Sequence, residues 1–200
     1  MTLPSDQEKL KQIDVFYMQA LTLAKVVMRI LTKKASISLS KDPDIVKKPI
    51  TEFMQRMRVS SLEKFETTTY ISTINFYGDD KALKEHRALG AIVLYVEEEY
   101  IVELLSRLNY PDVNTFDEEA IEDACGTFCN LIAGSYKNGL TQLGFKDLTM
   151  SHFSSYRNYV LNGVEYCYGQ KFKYEICLEV NGIKRIYLDL TMGPTPLAGS

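Results

Sequence analysis

A polar stripe along one predicted helix holds the residues best arranged for chemistry. Residues 115–144 have helical periodicity, and one face of that helix carries Asp123, Thr127, Asn130, Gly134, Lys137 and Thr141. Asp123 and Asn130 are seven residues apart, so they lie about two turns from each other, roughly 10 Å along the axis. The small Gly134 leaves backbone accessible next to Asn130. We take Asp123, Thr127 and Asn130, which offer a carboxylate, a hydroxyl and an amide, as the candidate site.

Other kinds of site find little support in the sequence. Cys125 and Cys129 are four residues apart, but the chain has no Cys-x-x-Cys pair and only two histidines. We therefore expect reduced, mostly buried thiols and no bound metal. His152 has serines on both sides, but no third group that would orient a catalytic Ser–His pair is evident. Nucleotide-binding loops, the Gly-x-Ser-x-Gly motif and the His-Glu-x-x-His motif are absent.

The helix that carries the stripe has recognisable ends. Thr115 and Glu118 form a predicted capping box, acidic residues follow in the first turn, and Gly144 is a suitable stop. A second stripe on the same helix is expected to be buried; it consists of Ile121, Ala124, Phe128, Leu131 and Ser135. The polar stripe is therefore predicted to run along the edge or outside of a helix packed on a core.

The composition bounds the broad class of the protein. The chain has 200 residues, 46% hydrophobic and 24% charged, which is typical of one globular domain. The net charge of −3 argues against a general nucleic-acid binder. The chain has no run of 18 apolar residues, so no membrane-spanning segment is predicted. The polar N-terminus lacks the apolar region of a signal peptide. We expect a cytoplasmic protein.

The order of predicted elements indicates an α+β fold. A long amphipathic helix from about residue 5 to 33 begins at a predicted Ser5–Glu8 capping box. A connection with a short strand at 36–39 follows, and then a helix over 50–59. Strands over 65–78 and 87–96, a helix over 97–108 and the central helix come next. Three more strands are predicted over 146–159, 172–180 and 183–192, and Asn181-Gly182 is a strong hairpin signal. The strands cluster in hairpins, so the prediction is an antiparallel sheet with long helices packed on one face.

The central helix and this order of elements resemble the CheC/CheX family of chemotaxis phosphatases. Their fold also forms the middle domain of the flagellar switch protein FliM. CheX-like proteins carry a segment of the type D/S-x3-E-x2-N followed by I/M-A-G. Here it stands as Asp123, Thr127 and Asn130 followed by Ile132-Ala133-Gly134. The resemblance covers residues 65–192, which we expect to be the core domain. Residues 1–64 are then an N-terminal helix and an insertion packed on that core, and residues 193–200 a flexible tail.

The resemblance implies a function on an aspartyl phosphate. In that family the central helix presses against the receiver domain of the response regulator CheY, and the motif Asn orients a water for in-line attack. The motif Glu pairs with a lysine of the regulator. The regulator supplies its own Mg²⁺, so no cofactor of the protein's own is expected. CheX-like relatives form homodimers through their sheets, and we expect a homodimer here.

One departure from the family motif leaves three interpretations open. The Glu position is Thr127, which lacks the charge and the reach to pair with a lysine, and losing such a contact costs about 1.5–3 kcal/mol. Glu122 points about 100° away from Asp123 and does not substitute. The protein is an active receiver phosphatase, a non-catalytic module that binds a receiver or switch-complex protein, or a structural module whose polar stripe is only solvated.

Overall fold

The computed structural model of this chain describes residues 14–110 and 117–196. Its helices are α1 (Val15–Lys34), α2 (Asp80–Lys84), α3 (Glu98–Arg107) and α4 (Glu118–Thr141), with a 3-10 turn at Ser61–Glu63. Its strands are β1 (Asp44–Pro49), β2 (Glu52–Phe53), β3 (Arg56–Ser60), β4 (Thr69–Tyr77), β5 (Gly90–Glu97), β6 (Thr149–Met150), β7 (Ser154–Arg157), β8 (Val160–Val164), β9 (Phe172–Val180) and β10 (Ile183–Met192).

A seven-stranded antiparallel sheet forms the centre of the structure. Its strand order is β1-β9-β10-β5-β4-β6, and β7 also pairs with β4. One face packs against α1, α3 and α4 in the main hydrophobic core, to which Ile74, Ile92 and Leu188 contribute from the sheet. This arrangement confirms the predicted α+β fold with helices on one face. The opposite face is covered by a small sheet of order β2-β3-β8, so the central strands are buried on both sides.

The side of the sheet under the small sheet contains a buried ionic cluster. The carboxylate of Asp189 is fully buried and accepts hydrogen bonds from the ammonium groups of Lys64 at 2.8 Å and Lys173 at 2.7 Å. The Tyr95 hydroxyl donates a third bond at 2.8 Å. Burial alone would raise the pKa of Asp189, but the two ammonium groups outweigh it and the pKa lies below its ordinary value. Lys64 thereby ties the 3-10 turn to the sheet.

Helix α1 is an apolar core helix. Asp14 caps it by accepting the backbone N–H bonds of Phe16 and Tyr17, whereas the predicted Ser5–Glu8 capping box lies outside the described residues. By length and composition α1 is the one described helix apolar enough to cross a membrane, with a mean hydropathy of 1.3. Its apolar side is instead packed in the core, where Leu23 and Val27 are fully buried.

The segment between α1 and β4 differs from the prediction. The helix predicted over 50–59 is wrong, because β2 and β3 form a hairpin there. Its two-residue turn, Met54-Gln55, has positive φ at both positions, a conformation in which Gly and Asn are usual, so the sequence carries no turn signal. The strand expected at 36–39 is also displaced, since Leu39 makes only an isolated bridge and the strand of this region is β1.

Strand β1 pairs with β9 and therefore extends the main sheet. At the other end of the chain, the Gly193 N–H donates to the Leu89 carbonyl at 2.7 Å, and the Gln19 amide donates to the Gly193 carbonyl at 3.0 Å. The segments at 15–34 and 44–49 thus pack on the region expected to be the core domain. The division into 1–64, 65–192 and 193–200 stays a prediction.

The region after α4 agrees only in part with the prediction. The strand predicted over 146–159 is divided into β6 and β7, and β8 follows a turn at Asn158, where φ is +51°. The hairpin at Asn181-Gly182 is confirmed, with φ of +54° and +78° and the two residues joining β9 to β10. Two positive φ angles match the twist of the flanking strands, which is the reason this dipeptide is so strong a signal.

Candidate functional site

Helix α4 places the three predicted site residues on its outer side. Ten residues of the helix are buried, and they include Phe128 and Cys129, which are 0% exposed. Asp123 and Asn130 are exposed and Thr127 is half-buried. The 3.6-residue period of the helix separates the two sets. The predicted buried stripe is confirmed at Ile121, Ala124 and Phe128, whereas Leu131 and Ser135 are half-buried and the buried face continues through Ile132 and Tyr136 instead.

The ends of α4 explain how it is held. The Asp117 carboxylate accepts the Ala120 N–H at 3.1 Å and caps the helix, whereas Thr115 of the predicted capping box lies outside the described residues. At the other end the Phe145 N–H returns to the Leu140 carbonyl, and Gly144 has a φ of +96°, so Gly144 acts as the predicted stop. The site therefore lies in the middle of a regular 24-residue helix.

Within residues 14–110 and 117–196, the fold does not use the polar groups of the candidate site. Among the described residues, no hydrogen bond or ion pair involves the side chains of Asp123, Thr127 or Asn130. Asn130 thus neither caps a helix nor bridges backbone groups in this part of the chain. Its amide is available to a ligand, as both donor and acceptor.

Two glycines of α4 lie in opposite environments. A Cβ at Gly126 would lie 2.1 and 2.2 Å from ring carbons of Phe153 and 2.7 Å from the Ser155 hydroxyl. The absence of a side chain at Gly126 therefore lets the segment before β7 pack directly on the helix, between Asp123 and Asn130 in the chain. A Cβ at Gly134, in contrast, would meet no described atom within 4 Å. Nothing in the described structure requires glycine at position 134.

Charged groups cluster at the N-terminal end of the candidate site. Near the first turn of α4, Arg157 donates two hydrogen bonds to Glu98, at 2.6 and 2.9 Å, and lies 3.3 Å from a carboxylate oxygen of Glu118. The bonds to Glu98 raise the pKa of Arg157. Of the other acidic groups near this end, Glu119 and Asp123 are exposed and Glu122 is half-buried, so the N-terminal end of the stripe is acidic.

The cysteines and His152 do not add a second chemical site. All four cysteines are free thiols, and burial raises the pKa of the Cys125 thiol to about 12 and that of Cys129 well above its ordinary range. Such thiols are poor nucleophiles. His152 is exposed, while the Ser151 hydroxyl accepts the Asn75 N–H at 3.0 Å, so no Ser–His pair forms in the described chain.

Tertiary contacts bring residues beside the stripe that sequence reasoning missed. Phe153 and Arg157 approach α4 from the segment around β7, and Lys25 and Arg29 approach from α1. Local pattern gave no signal for any of them, since each is more than 20 residues from the part of α4 beside it. Only a prediction that α1 packs beside α4 would have indicated Lys25 and Arg29.

Comparison with known proteins identifies the fold. No protein-family model and no curated protein matches the sequence. A CheC-like superfamily protein from Shewanella sp. PV-4 has a similar structure, with a TM-score of 0.58, 15% identity, and coverage of 92% of this chain and 99% of that chain. The chemotaxis protein CheX from Vibrio vulnificus gives 0.53 at 14% identity, over 87% of this chain and 98% of that chain.

The FliM middle domain from Vibrio alginolyticus shares the architecture as well. Its TM-score is 0.50 at 9% identity, over 89% of this chain and 93% of that chain. The structural likeness extends over nearly the whole of each similar chain, so it concerns a complete fold. This chain therefore has the CheC/CheX-like fold that also forms the FliM middle domain, as the sequence resemblance predicted.

Proposed function

We propose that this protein docks the phosphorylated receiver domain of a response regulator on the outer face of α4 and promotes hydrolysis of the aspartyl phosphate. The observation that carries the proposal is Asn130, an exposed amide with no partner among the described residues, on a helix whose other face is buried. The CheC/CheX-like fold and the motif position of Asn130 support it. A cytoplasmic role in chemotaxis or two-component signalling, and a homodimer, belong to the same proposal.

The proposed reaction is an in-line displacement at phosphorus. The oxygen of a water attacks the phosphorus, the bond from phosphorus to the aspartyl oxygen breaks, and the carboxylate and inorganic phosphate are the products. The Asn130 amide oxygen accepts a hydrogen bond from the water and its NH₂ donates to a phosphoryl oxygen. The receiver supplies the Mg²⁺ that neutralises charge on the phosphoryl group, so this chain acts by positioning.

A rigid helix suits that task. Positioning a water is effective only when the orienting group is held within a fraction of an ångström. Two fully buried side chains flank Asn130 in the chain, Cys129 one residue before it and Ile132 two residues after it. They fix the helix on the core. Gly126 fixes it against Phe153 one turn earlier. Asn130 is therefore presented on a part of α4 that cannot shift without repacking the core.

The position of Thr127 favours a second candidate function, a non-catalytic receiver-binding module. Thr127 is half-buried and has no carboxylate for a receiver lysine. Asp123, one turn earlier on the same face, is exposed and provides a negative charge near that position. If Asp123 does not replace the missing Glu, the same face docks a receiver or a switch protein without hydrolysing the phosphate.

The experiment is phosphate release from a phosphorylated receiver domain of the same organism, with wild type, Asn130→Ala and Thr127→Glu in parallel. Asn181→Gly is the matched control, because it removes the same amide from an exposed position on the β9–β10 hairpin, where the φ of +54° also suits glycine. We expect wild type to accelerate release, Asn130→Ala to lose at least about tenfold of that acceleration, and Asn181→Gly to keep it.

The other possible results distinguish the phosphatase from the non-catalytic binding module. An inert wild type with an active Thr127→Glu variant would assign the binding module. If wild type neither accelerates release nor binds any receiver of the organism, the proposed function is wrong, and the polar stripe is a solvated helix face.

A further inference from the structure

A groove between α1 and the C-terminal half of α4 lies beside the candidate site. It has a volume of about 440 Å³, and its walls include Thr22, Val26 and Arg29 of α1 and Ser135 and Gly139 of α4. A Cβ at Gly139 would lie 2.8 Å from the Thr22 methyl group, so the two helices touch at this point and the groove opens next to the contact. The α4 wall is the neighbouring face to the polar stripe.

The α1 wall of the groove is basic. Lys25 and Arg29 are exposed one turn apart, and Lys33 continues the row at the same spacing. Within residues 14–110 and 117–196, no carboxylate lies within 4.0 Å of any of these three cations. This row is therefore a positive surface that the described part of the fold does not neutralise.

The site and the groove together form a surface with a charge gradient. Its acidic end is the N-terminal part of α4 with Glu119 and Asp123, its middle is Asn130, and its basic end is the row on α1. A partner that docks along the whole surface must present cationic groups to one end and anionic groups to the other. Complementary charge of this kind fixes the orientation of a partner and speeds its approach more than it adds affinity.

We infer that the α1–α4 groove is the second half of the docking surface and takes an acidic segment of the same receiver domain. This inference rests on the proposed function and adds the orientation in which the receiver lies across Asn130. The acidic segment lies over Lys25 and Arg29, and the phosphoryl group lies over Asn130. The net charge of −3 on the chain makes the local positive row, rather than the overall charge, responsible for the attraction.

The test is the rate of association of the receiver, activated with beryllofluoride, with the full chain. Lys25→Glu/Arg29→Glu reverses both cations of the groove. Arg58→Glu/Lys171→Glu is the matched control, because it makes the same change in net charge at two exposed positions without a described ion pair, one of them on β3 of the small sheet. Circular dichroism and thermal unfolding check that both variants are folded.

We expect the groove variant to associate about tenfold more slowly at low salt, with a weaker dependence on ionic strength, and the control variant to match wild type. Equal association rates and salt slopes for the groove variant and wild type would overturn this inference and leave the proposed function standing. A wild type that binds no receiver would refute the proposed function itself. If the groove variant loses affinity for a single-stranded RNA but not for the receiver, the groove is a nucleic-acid site and the inference is contradicted.

Discussion

Gly134 offers a test that separates the needs of the fold from the needs of the site. Glycine in a helix interior is less favourable than alanine by about 1 kcal/mol. A Cβ at Gly134 would meet no described atom within 4 Å, so Gly134→Ala brings the gain in helix propensity without a clash. We expect the free energy of unfolding to rise by about 1 kcal/mol, and the Tm to rise by about 2–4 °C for a chain of this size.

The assay for stability is thermal and urea unfolding, followed by circular dichroism, of wild type and Gly134→Ala. A lower Tm for Gly134→Ala would refute the reasoning, because it would mean that another part of the molecule occupies the space beside the helix. The residue would then be retained for packing, as Gly126 is.

The same position tests docking when the side chain is larger. If a partner approaches α4 closely beside Asn130, Gly134→Leu should weaken receiver binding by at least about tenfold, which is 1.4 kcal/mol. Titration of activated receiver into wild type and Gly134→Leu measures this. Unchanged affinity for Gly134→Leu would show that the partner does not touch this part of the stripe.

Three further predictions follow from buried parts of the structure. Gly126→Ala should lower the free energy of unfolding in urea by about 1–3 kcal/mol, because the new methyl group overlaps a packed aromatic ring; an unchanged midpoint would contradict this. Asp189→Asn should cost about 3–5 kcal/mol, because it leaves the buried ammonium group of Lys173 without a carboxylate partner, while Lys64 keeps only Glu175. Since the pKa of Asp189 is lower in the folded than in the unfolded chain, its contribution is present above about pH 4 and is lost as the pH falls through the folded value, so the stability of the variant should depend less on pH in that range. Cys125 and Cys129 should resist a thiol reagent at pH 8 in the native protein and react after unfolding, as mass spectrometry of the labelled peptides would show.

Sequence pattern predicted the helix that carries the site because two signals agreed there. The 3.6-residue period of the apolar side chains, including Ile121 and Phe128, separated the buried face from the face with Asp123 and Asn130. Asp123 and Asn130 are exposed as the period predicted, whereas the C-terminal part of the buried face runs through Ile132 and Tyr136 rather than Leu131 and Ser135. The hairpin at Asn181-Gly182 was equally readable, since its turn type depends on those residues alone.

The hairpin of β2 and β3 was not predictable from local sequence, because the contacts that stabilise it come from residues far along the chain. Phe53, Met54 and Met57 fit a helical spacing, and the turn at Met54-Gln55 has no glycine or asparagine. Strand β3 is held by β8, about 100 residues further along, and by the face of the main sheet that the pair covers. Tertiary packing overrode the local preference, which is common for short segments.

The surroundings of the site were unreadable for the same reason. Phe153 reaches Gly126, and Lys25 and Arg29 reach the groove beside α4, only because the sheet and the helix layer bring distant segments together. A single sequence does not show which helices are neighbours. The residues of the stripe were therefore predictable, and the groove next to it was not.

The claim that the outer face of α4 docks an activated receiver is tested most directly by equilibrium binding. Activated receiver would be titrated into wild type, Asn130→Arg and Leu62→Arg, the last a control whose side chain is 69% exposed in the 3-10 turn at Ser61–Glu63. We predict that Asn130→Arg loses at least about tenfold in affinity, as expected for a bulky charge at an interface centre, and that Leu62→Arg binds as wild type does. Equal affinities for wild type and Asn130→Arg would contradict the account.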